Sequence, residues 1–267
     1  MNKEEILAKY KKQEEKLLIA KLLDKILLTE KRNKITYTNF LDEYQKRILE
    51  KVLKELNVKN SIILGGYETA ERNIIVLYPN KLELIPRENI VKDILNVIRI
   101  ELPKESYEKY THRDYLGALM KIGIQREKIG DIIVEENGAD IIVIKEIAQY
   151  VKETISNLKR FSKSNVEFID IKDLRKNNIK KQEKKLIVAS LRLDNIVSEL
   201  AKISRKKAEE IIAEEKVFLN FELQSKNTKQ VKEGDKITIR GKGRFEIKEI
   251  NGTTKNGRII FTVEKYI

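Results

Sequence analysis

The chain has no cysteine and no tryptophan, and only one histidine, two methionines and three prolines in 267 residues. Without a thiol there is no disulfide and no thiolate nucleophile, and a single histidine excludes most zinc sites. No run of eighteen apolar residues occurs, so a membrane-spanning helix is not expected. Met1-Asn2-Lys3-Glu4-Glu5 does not read as a signal peptide, and the expected location is the cytoplasm. Charge leans one way: 55 Lys and Arg stand against 42 Asp and Glu, a formal +13. That excess favours a polyanion such as nucleic acid, but it carries weight only where the cations cluster. Hydrophobic residues make up 41% of the chain, enough for two or three small domains with cores of their own.

Leu7, Leu17, Leu18, Leu22, Ile26 and Leu27 recur near helical spacing, and Lys31 to Lys34 breaks the pattern. Thr38 then opens a second helix with Phe40, Leu41, Tyr44, Ile48, Val52, Leu53 and Leu56 on one side. A helical hairpin over residues 1–59, packed against the next domain, is expected. Residues 60–172 change texture. Ser61–Leu64 and Asn73–Tyr78 are short apolar runs, Val97–Glu101 alternates as a strand with one wet face would, and strands are expected near Asp131–Val134, Asp140–Ile144 and Asn165–Ile171. With helices over Thr111–Lys121 and Glu146–Leu158 this predicts an RRM-like α/β plait, whose uncovered sheet face could meet RNA. His112-Arg113-Asp114 repeats a kinase triplet, but no partner motif accompanies it, and Thr111 with Asp114 reads as a variant capping box. Gly117, Gly123 and Gly130 suit turns or close backbone approach and do not form a nucleotide loop.

Residues 173–189 read as a basic linker, a solvated tether or part of a basic track. From 190 to 267 the pattern sharpens. Ile196, Val197, Leu200, Ile211 and Ile212 recur at three and four, predicting two short helices with one buried seam. Ser204 is a good N-cap, yet Arg205, Lys206 and Lys207 fill a first turn where the helix dipole favours acids. Such a start can seat a phosphate, or it can be a solvated face answered by Glu209 and Glu210. Strands are expected around Val217–Phe221 and Lys236–Arg240. In Arg240-Gly241-Lys242-Gly243-Arg244 the glycines remove side chains between three cations. Asn251-Gly252 and Asn256-Gly257 mark turns of a closing hairpin, with Lys255 and Arg258 at its tip.

Arg192-Leu193-Asp194, Ile203-Ser204-Arg205-Lys206-Lys207-Ala208, Val217-Phe218-Leu219-Asn220 and Val231-Lys232-Glu233-Gly234-Asp235-Lys236-Ile237, in that order, resemble the RNA-binding domain first described in small-subunit ribosomal protein S-four, the alpha-L motif. Glu215 stands where Gly is usual, and Phe221 where Asn-Gly is usual. That aromatic and the Arg240–Arg244 turn are similar to the YlmH-like S-four-domain proteins, the ribosome-associated quality-control protein P-two family. The runs His112–Met120 and Arg126–Ile132, with Gly65-Gly66-Tyr67 and Tyr78-Pro79, extend the resemblance back to about Ser61.

The resemblance implies an α+β chain: helical hairpin, RRM-like plait, basic linker and C-terminal S-four domain at 190–267. It implies a non-catalytic bacterial protein that binds ribosomal RNA and tRNA on the large subunit carrying peptidyl-tRNA, alongside a quality-control factor that elongates the stalled chain. RNA would be held at Arg192, Ser204, Arg205, Lys206, Lys207, Arg240, Lys242, Arg244, Lys255 and Arg258. No cofactor, metal or membrane is expected. The alternatives are an RNA-modifying enzyme such as a pseudouridine synthase, for which no site is found in the sequence, and a cell-division-linked scaffold on the N-terminal helices.

Overall fold

The N-terminal apolar stripe forms two helices, α1 (Lys3–Ala8) and α2 (Gln13–Arg32). Helix α2 ends at Asn33, whose left-handed φ of 50° suits a C-cap after the basic pair Lys31 and Arg32. Helix α3 (Glu43–Glu55) starts at Asp42 and not at Thr38. Asp42 accepts from the Gln45 N–H at 2.8 Å, and the Gln45 side chain accepts from the Asp42 N–H at 3.1 Å, a capping box stronger than Thr38 could build. Thr38 instead accepts from the Ile75 N–H at 2.9 Å. The helices bury Ile19, Leu22, Leu49 and Val52 against Ile75 and Leu77. The computed structural model describes residues 3–79, 86–175 and 181–266. It comprises two units, Met1–Asn177 and Asn178–Ile267.

The strands near Ser61 and Ile74 do not join the plait as expected. β2 (Ser61–Leu64) and β3 (Ile74–Leu77) pair with β1 (Thr36–Tyr37) in a separate three-stranded sheet, order β1-β3-β2. Helix α4 (Arg87–Ile94) leads directly into β4 (Leu95–Glu101). The plait proper is β4, α5 (His112–Lys121), β5 (Ile129–Glu135), β6 (Gly138–Ile144), α6 (Lys145–Ser156) and β7 (Asn165–Ile169), with order β5-β6-β4-β7 and every pair antiparallel. This is the split βαβ topology. The His112-Arg113-Asp114 triplet is structural: the Asp114 carboxylate accepts from the Thr111 N–H at 2.9 Å and the Thr111 hydroxyl at 2.7 Å. Gly130 lies under the Phe40 ring, where a Cβ would come within 2.7 Å, and Gly123 takes a φ of +84° just past α5.

Both faces of the sheet are covered. Ile98, Ile100, Ile141 and Val143 turn toward α5 and α6. The opposite set, Leu95, Val97, Ile142 and Ile144, is buried beneath α4 and the three-stranded sheet, with Ile90, Ile94, Val76 and Phe40 against it. Both the wet face expected for Val97–Glu101 and the RNA-facing surface expected of the plait are therefore overturned. A charged pair on that covered face, Arg99 opposite Asp140, is internally neutralised. Fully buried Asp140 accepts from Arg99 Nε at 2.8 Å and Nη2 at 2.7 Å, from the Arg175 N–H at 2.8 Å, and from Arg175 Nη1.

In the second unit α7 (Leu193–Ala201) and α8 (Arg205–Ala213) pack through Ile196, Val197, Ala208 and Ile212 onto a six-stranded sheet. Its strands are β8 (Lys181–Val188), β9 (Val217–Leu219), β10 (Glu222–Leu223), β11 (Lys236–Ile239), β12 (Gly243–Thr253) and β13 (Ile259–Tyr266), in the order β10-β9-β11-β12-β13-β8. The expected linker is thus partly strand. Residues 176–180 lie outside the described residues, but β8 pairs with β13 from Lys181 to Val188. Only Val188 is buried on β8, so backbone hydrogen bonds hold a strand whose lysines read as a tether, and lysines on an edge strand discourage further pairing. Asn256-Gly257 makes the hairpin turn between β12 and β13, whereas Gly252 marks a register shift inside β12. Among the described residues no helix is long and apolar enough to cross a membrane.

Removing the Asp140 carboxylate would strand two largely buried guanidinium groups. Asp140→Ala is expected to cost about 3 kcal/mol, read as a lower denaturant midpoint with an unchanged slope. A midpoint within error of the wild type would show that the pair contributes nothing.

Candidate nucleic-acid interface

The Arg-Leu-Asp run places Arg192 as the residue before α7 and Asp194 in its first turn, fully buried. Asp194 accepts from Arg192 Nε at 3.1 Å and Nη2 at 2.9 Å, from Arg205 Nε at 3.0 Å and Nη2 at 2.8 Å, and from the Asn195 N–H at 3.0 Å. Burial pushes its carboxyl up, but the hydrogen bonds from Arg192, Arg205 and the Asn195 backbone outweigh this and hold it below the ordinary carboxylate range. Arg192 before α7 and Arg205 at the mouth of α8 therefore knit the helices together through Asp194. Arg205 also meets Glu209 at 3.5 Å.

The rest of that first turn divides. Ser204 accepts from the Lys207 N–H at 3.2 Å, the expected N-cap. Lys207 pairs with Glu210 at 2.8 Å, the solvated-face arrangement. Lys206 is exposed and has no carboxylate partner among the described residues. Of the four cations expected to grip phosphate around this helix start, Arg192, Arg205 and Lys207 are engaged by acids.

Helix α8 closes with a Schellman motif. The Lys216 N–H donates to Ile211 O at 3.0 Å and the Glu215 N–H to Ile212 O at 3.1 Å, so Glu215 takes the left-handed position that glycine usually fills, with a φ of 57°. The glycine turn sits at this end of the helix, because the Arg240 N–H donates to Lys216 O at 2.9 Å. Arg205 begins the same helix. Nine residues at 1.5 Å each put roughly 13 Å between the helix mouth and the turn. Lys255 and Arg258 are farther off, at the other end of β12, some 30 Å of strand from Gly243. Arg258 Nη2 reaches Ile187 O at 3.5 Å.

At the turn itself, Gly241 and Gly243 take φ values of +78° and +116°, which a side chain would strain. Arg240 and Lys242 are exposed and have no carboxylate partner among the described residues. Aromatic rings lie close to both arginines of the turn. Arg240 Cζ is 5.1 Å from the Phe218 ring centre, and Arg244 Cζ is 5.1 Å from that of Phe221 and 5.8 Å from that of Tyr266. Lys236 Nζ lies 6.0 Å from the Phe221 ring. Phe221 occupies a two-residue turn with Asn220, φ 68° and 52°, the geometry that Asn-Gly normally supplies. Asp235 fixes this turn by accepting from Asn220 Nδ2 at 2.7 Å, while Asn220 Oδ1 accepts from the Lys236 N–H at 2.9 Å. Phe218, Lys236 and Tyr266 were missed as site residues in the sequence. Their signal was the strand alternation that turns them away from the buried set.

The Asp194 geometry fixes a pH dependence. Its folded pKa lies below the unfolded value of about 3.9, so its stabilisation is complete above that value and is lost as pH falls through the folded one. Denaturant titrations from about pH 5 downward should show wild-type stability falling more steeply than that of Asp194→Asn; parallel curves would remove Asp194 as the cause.

Comparison with known proteins agrees with this architecture. A family model described as "Putative RNA-binding domain in YlmH" matches residues 93–173, the stretch of the plait from β4 to β7. Over 254 residues the chain is 29% identical to the ribosome-associated protein quality control protein P2 of Bacillus subtilis, covering 95% of this chain and 96% of that one. A solved structure, the cell division protein ylmH from Streptococcus pneumoniae, superposes with a TM-score of 0.51 at 18% identity, covering 62% of this chain and 98% of that one, a likeness of fold. In sequence the chain is similar to the YlmH-like proteins over most of its length.

Proposed function

We propose that this chain is a non-catalytic RNA-binding protein of the ribosome-associated quality-control type. In this reading it holds ribosomal RNA and tRNA backbone on the large subunit that carries peptidyl-tRNA, beside a factor that extends the stalled chain. Support for an RNA-binding role comes from the family model over the plait and from the named role of the Bacillus subtilis relative. The C-terminal unit is read as an S-four domain on its Arg192-Leu193-Asp194 run, its paired helices and its basic turn.

One observation carries the placement of the RNA: in Arg240-Gly241-Lys242-Gly243-Arg244, Arg240 and Lys242 project from a glycine turn with no acid opposite them among the described residues. Phosphate can approach such a turn closely because the glycines present bare backbone. Lys206 is the second contact, at the N-cap end of α8, where N–H groups of the first turn add to its charge. Arg192 and Arg205 act here by positioning the two helices, and Lys255 and Arg258 form a separate, distal contact. Recognition would depend on shape and phosphate more than on base sequence.

The test is co-sedimentation with purified large ribosomal subunits, with and without peptidyl-tRNA, across a salt series. Arg240→Ala with Lys242→Ala should weaken binding about tenfold or more and reduce the steepness of its salt dependence by about two counterions. Arg205 is unsuited to this experiment, since its loss also strips a buried carboxylate. Binding that survives the double change with an unaltered salt slope overturns the placement, and release of a modified nucleoside would favour an enzyme.

A further inference from the structure

The outward face of the C-terminal sheet carries more than charge. On β9 and β11 the residues Val217, Leu219, Ile237 and Ile239 enter the core, so Phe218 and Thr238 point away from it. Thr238 lies opposite Phe218 on one side and Arg244 on the other. Arg244 Cζ is within 5.8 Å of the Tyr266 ring, and Tyr266 pairs with Lys181, whose Nζ is 4.8 Å from that ring. One row therefore crosses five strands: Phe218, Thr238, Arg244, Tyr266, Lys181. Phe221 flanks it from the neighbouring turn.

The geometry points to this face as a stacking platform for the unpaired bases of a single RNA strand, laid across the sheet beside the Arg240–Arg244 turn. This rests on the RNA-binding reading above and adds to it what the rings are for. Cations alone would hold phosphate, whereas flat rings interleaved with guanidinium groups offer surfaces on which bases of any identity can stack. A duplex keeps those base faces to itself.

Phe221 gives a second, independent reason. Its φ of 68° is one that a bulky residue seldom adopts and glycine adopts without strain. A ring held there at the expense of backbone strain, between Arg244 and Lys236 and partly open to water, points to a role at the surface rather than in the core. The acids on this face are already answered. Glu246 accepts from the Tyr266 hydroxyl at 2.6 Å, Lys181 meets Glu246 at 3.3 Å and Glu264 at 2.7 Å, and Lys248 lies 3.9 Å and 3.7 Å from the same two. They leave the Phe218 and Phe221 end of the row as its cationic end.

The experiment compares the full chain on a mixed-sequence RNA strand of about a dozen nucleotides with an abasic strand of equal length, which carries the same phosphates and no bases. The wild type should bind the base-bearing strand roughly tenfold tighter than the abasic one. Phe221→Gly relieves the backbone and removes the ring, so the melting temperature should hold or rise while that ratio collapses toward one. Phe218→Leu, which keeps apolar cover without a flat face, should lower the ratio too. Equal wild-type affinity for the two strands overturns the stacking inference and leaves phosphate binding standing. Binding to neither strand overturns the RNA reading itself.

Discussion

A carboxylate taken out of water must be met by cations or by other hydrogen-bond donors, and in this protein that constraint decides which of its many basic groups can face a partner. Asp194 draws in Arg192 and Arg205, and Asp140 draws in Arg99 and Arg175. Asp131 achieves the same end with neutral donors, the Tyr67 hydroxyl at 2.6 Å and the backbone N–H groups of Glu71 and Arg72. Breaking any of these would leave a charge or a polar group with neither solvent nor partner. A formal charge of +13 therefore overstates the electrostatic reach of the chain, because the best-placed arginines serve as internal fastenings. What projects outward is the remainder, including Lys206, Arg240 and Lys242.

The same logic separates the two units in character. In the first, a plait whose topology is shared with single-strand RNA binders has both faces of its sheet buried, one under its own helices and one under α4 and the small sheet. Any RNA contact it makes must use helices, loops or edges, and not stacking on the central strands. In the second unit the helices cover one face only, and the other keeps its rings and cations at the surface. The proposed base contact thus sits where a second layer is absent.

Much of this was legible in the sequence, for reasons that can be named. Helix α5 is announced by Thr111 with Asp114, β5 and β6 by unbroken apolar runs about the turn at Glu136 and Asn137, and α7 and α8 by a seam at three- and four-residue spacing. The uses of faces were not legible. Alternation in Val97–Glu101 fits a strand with solvent on one side equally well as one whose Arg99 finds a buried acid forty-one residues later in the chain. Polarity hid β8, which is held by its backbone. Arg205 reads as a phosphate ligand until Asp194, eleven residues earlier in the first turn of α7, is seen to claim it. Glu215 and Phe221 stand where Gly and Asn-Gly are usual, yet both turns keep the shape glycine would give, at the expense of strain.

The strand order of the C-terminal unit bears on how the chain is made. β13 lies between β12 and β8, so residues 259–266 occupy an interior lane and not an edge. During synthesis β8 emerges early and waits without a hydrogen-bonding neighbour until some seventy further residues have been added, a long-range closure that is slow by its nature. The lysines along β8 then serve the nascent polypeptide as much as the finished one, keeping a lone ribbon hydrated and apart from its copies while translation catches up.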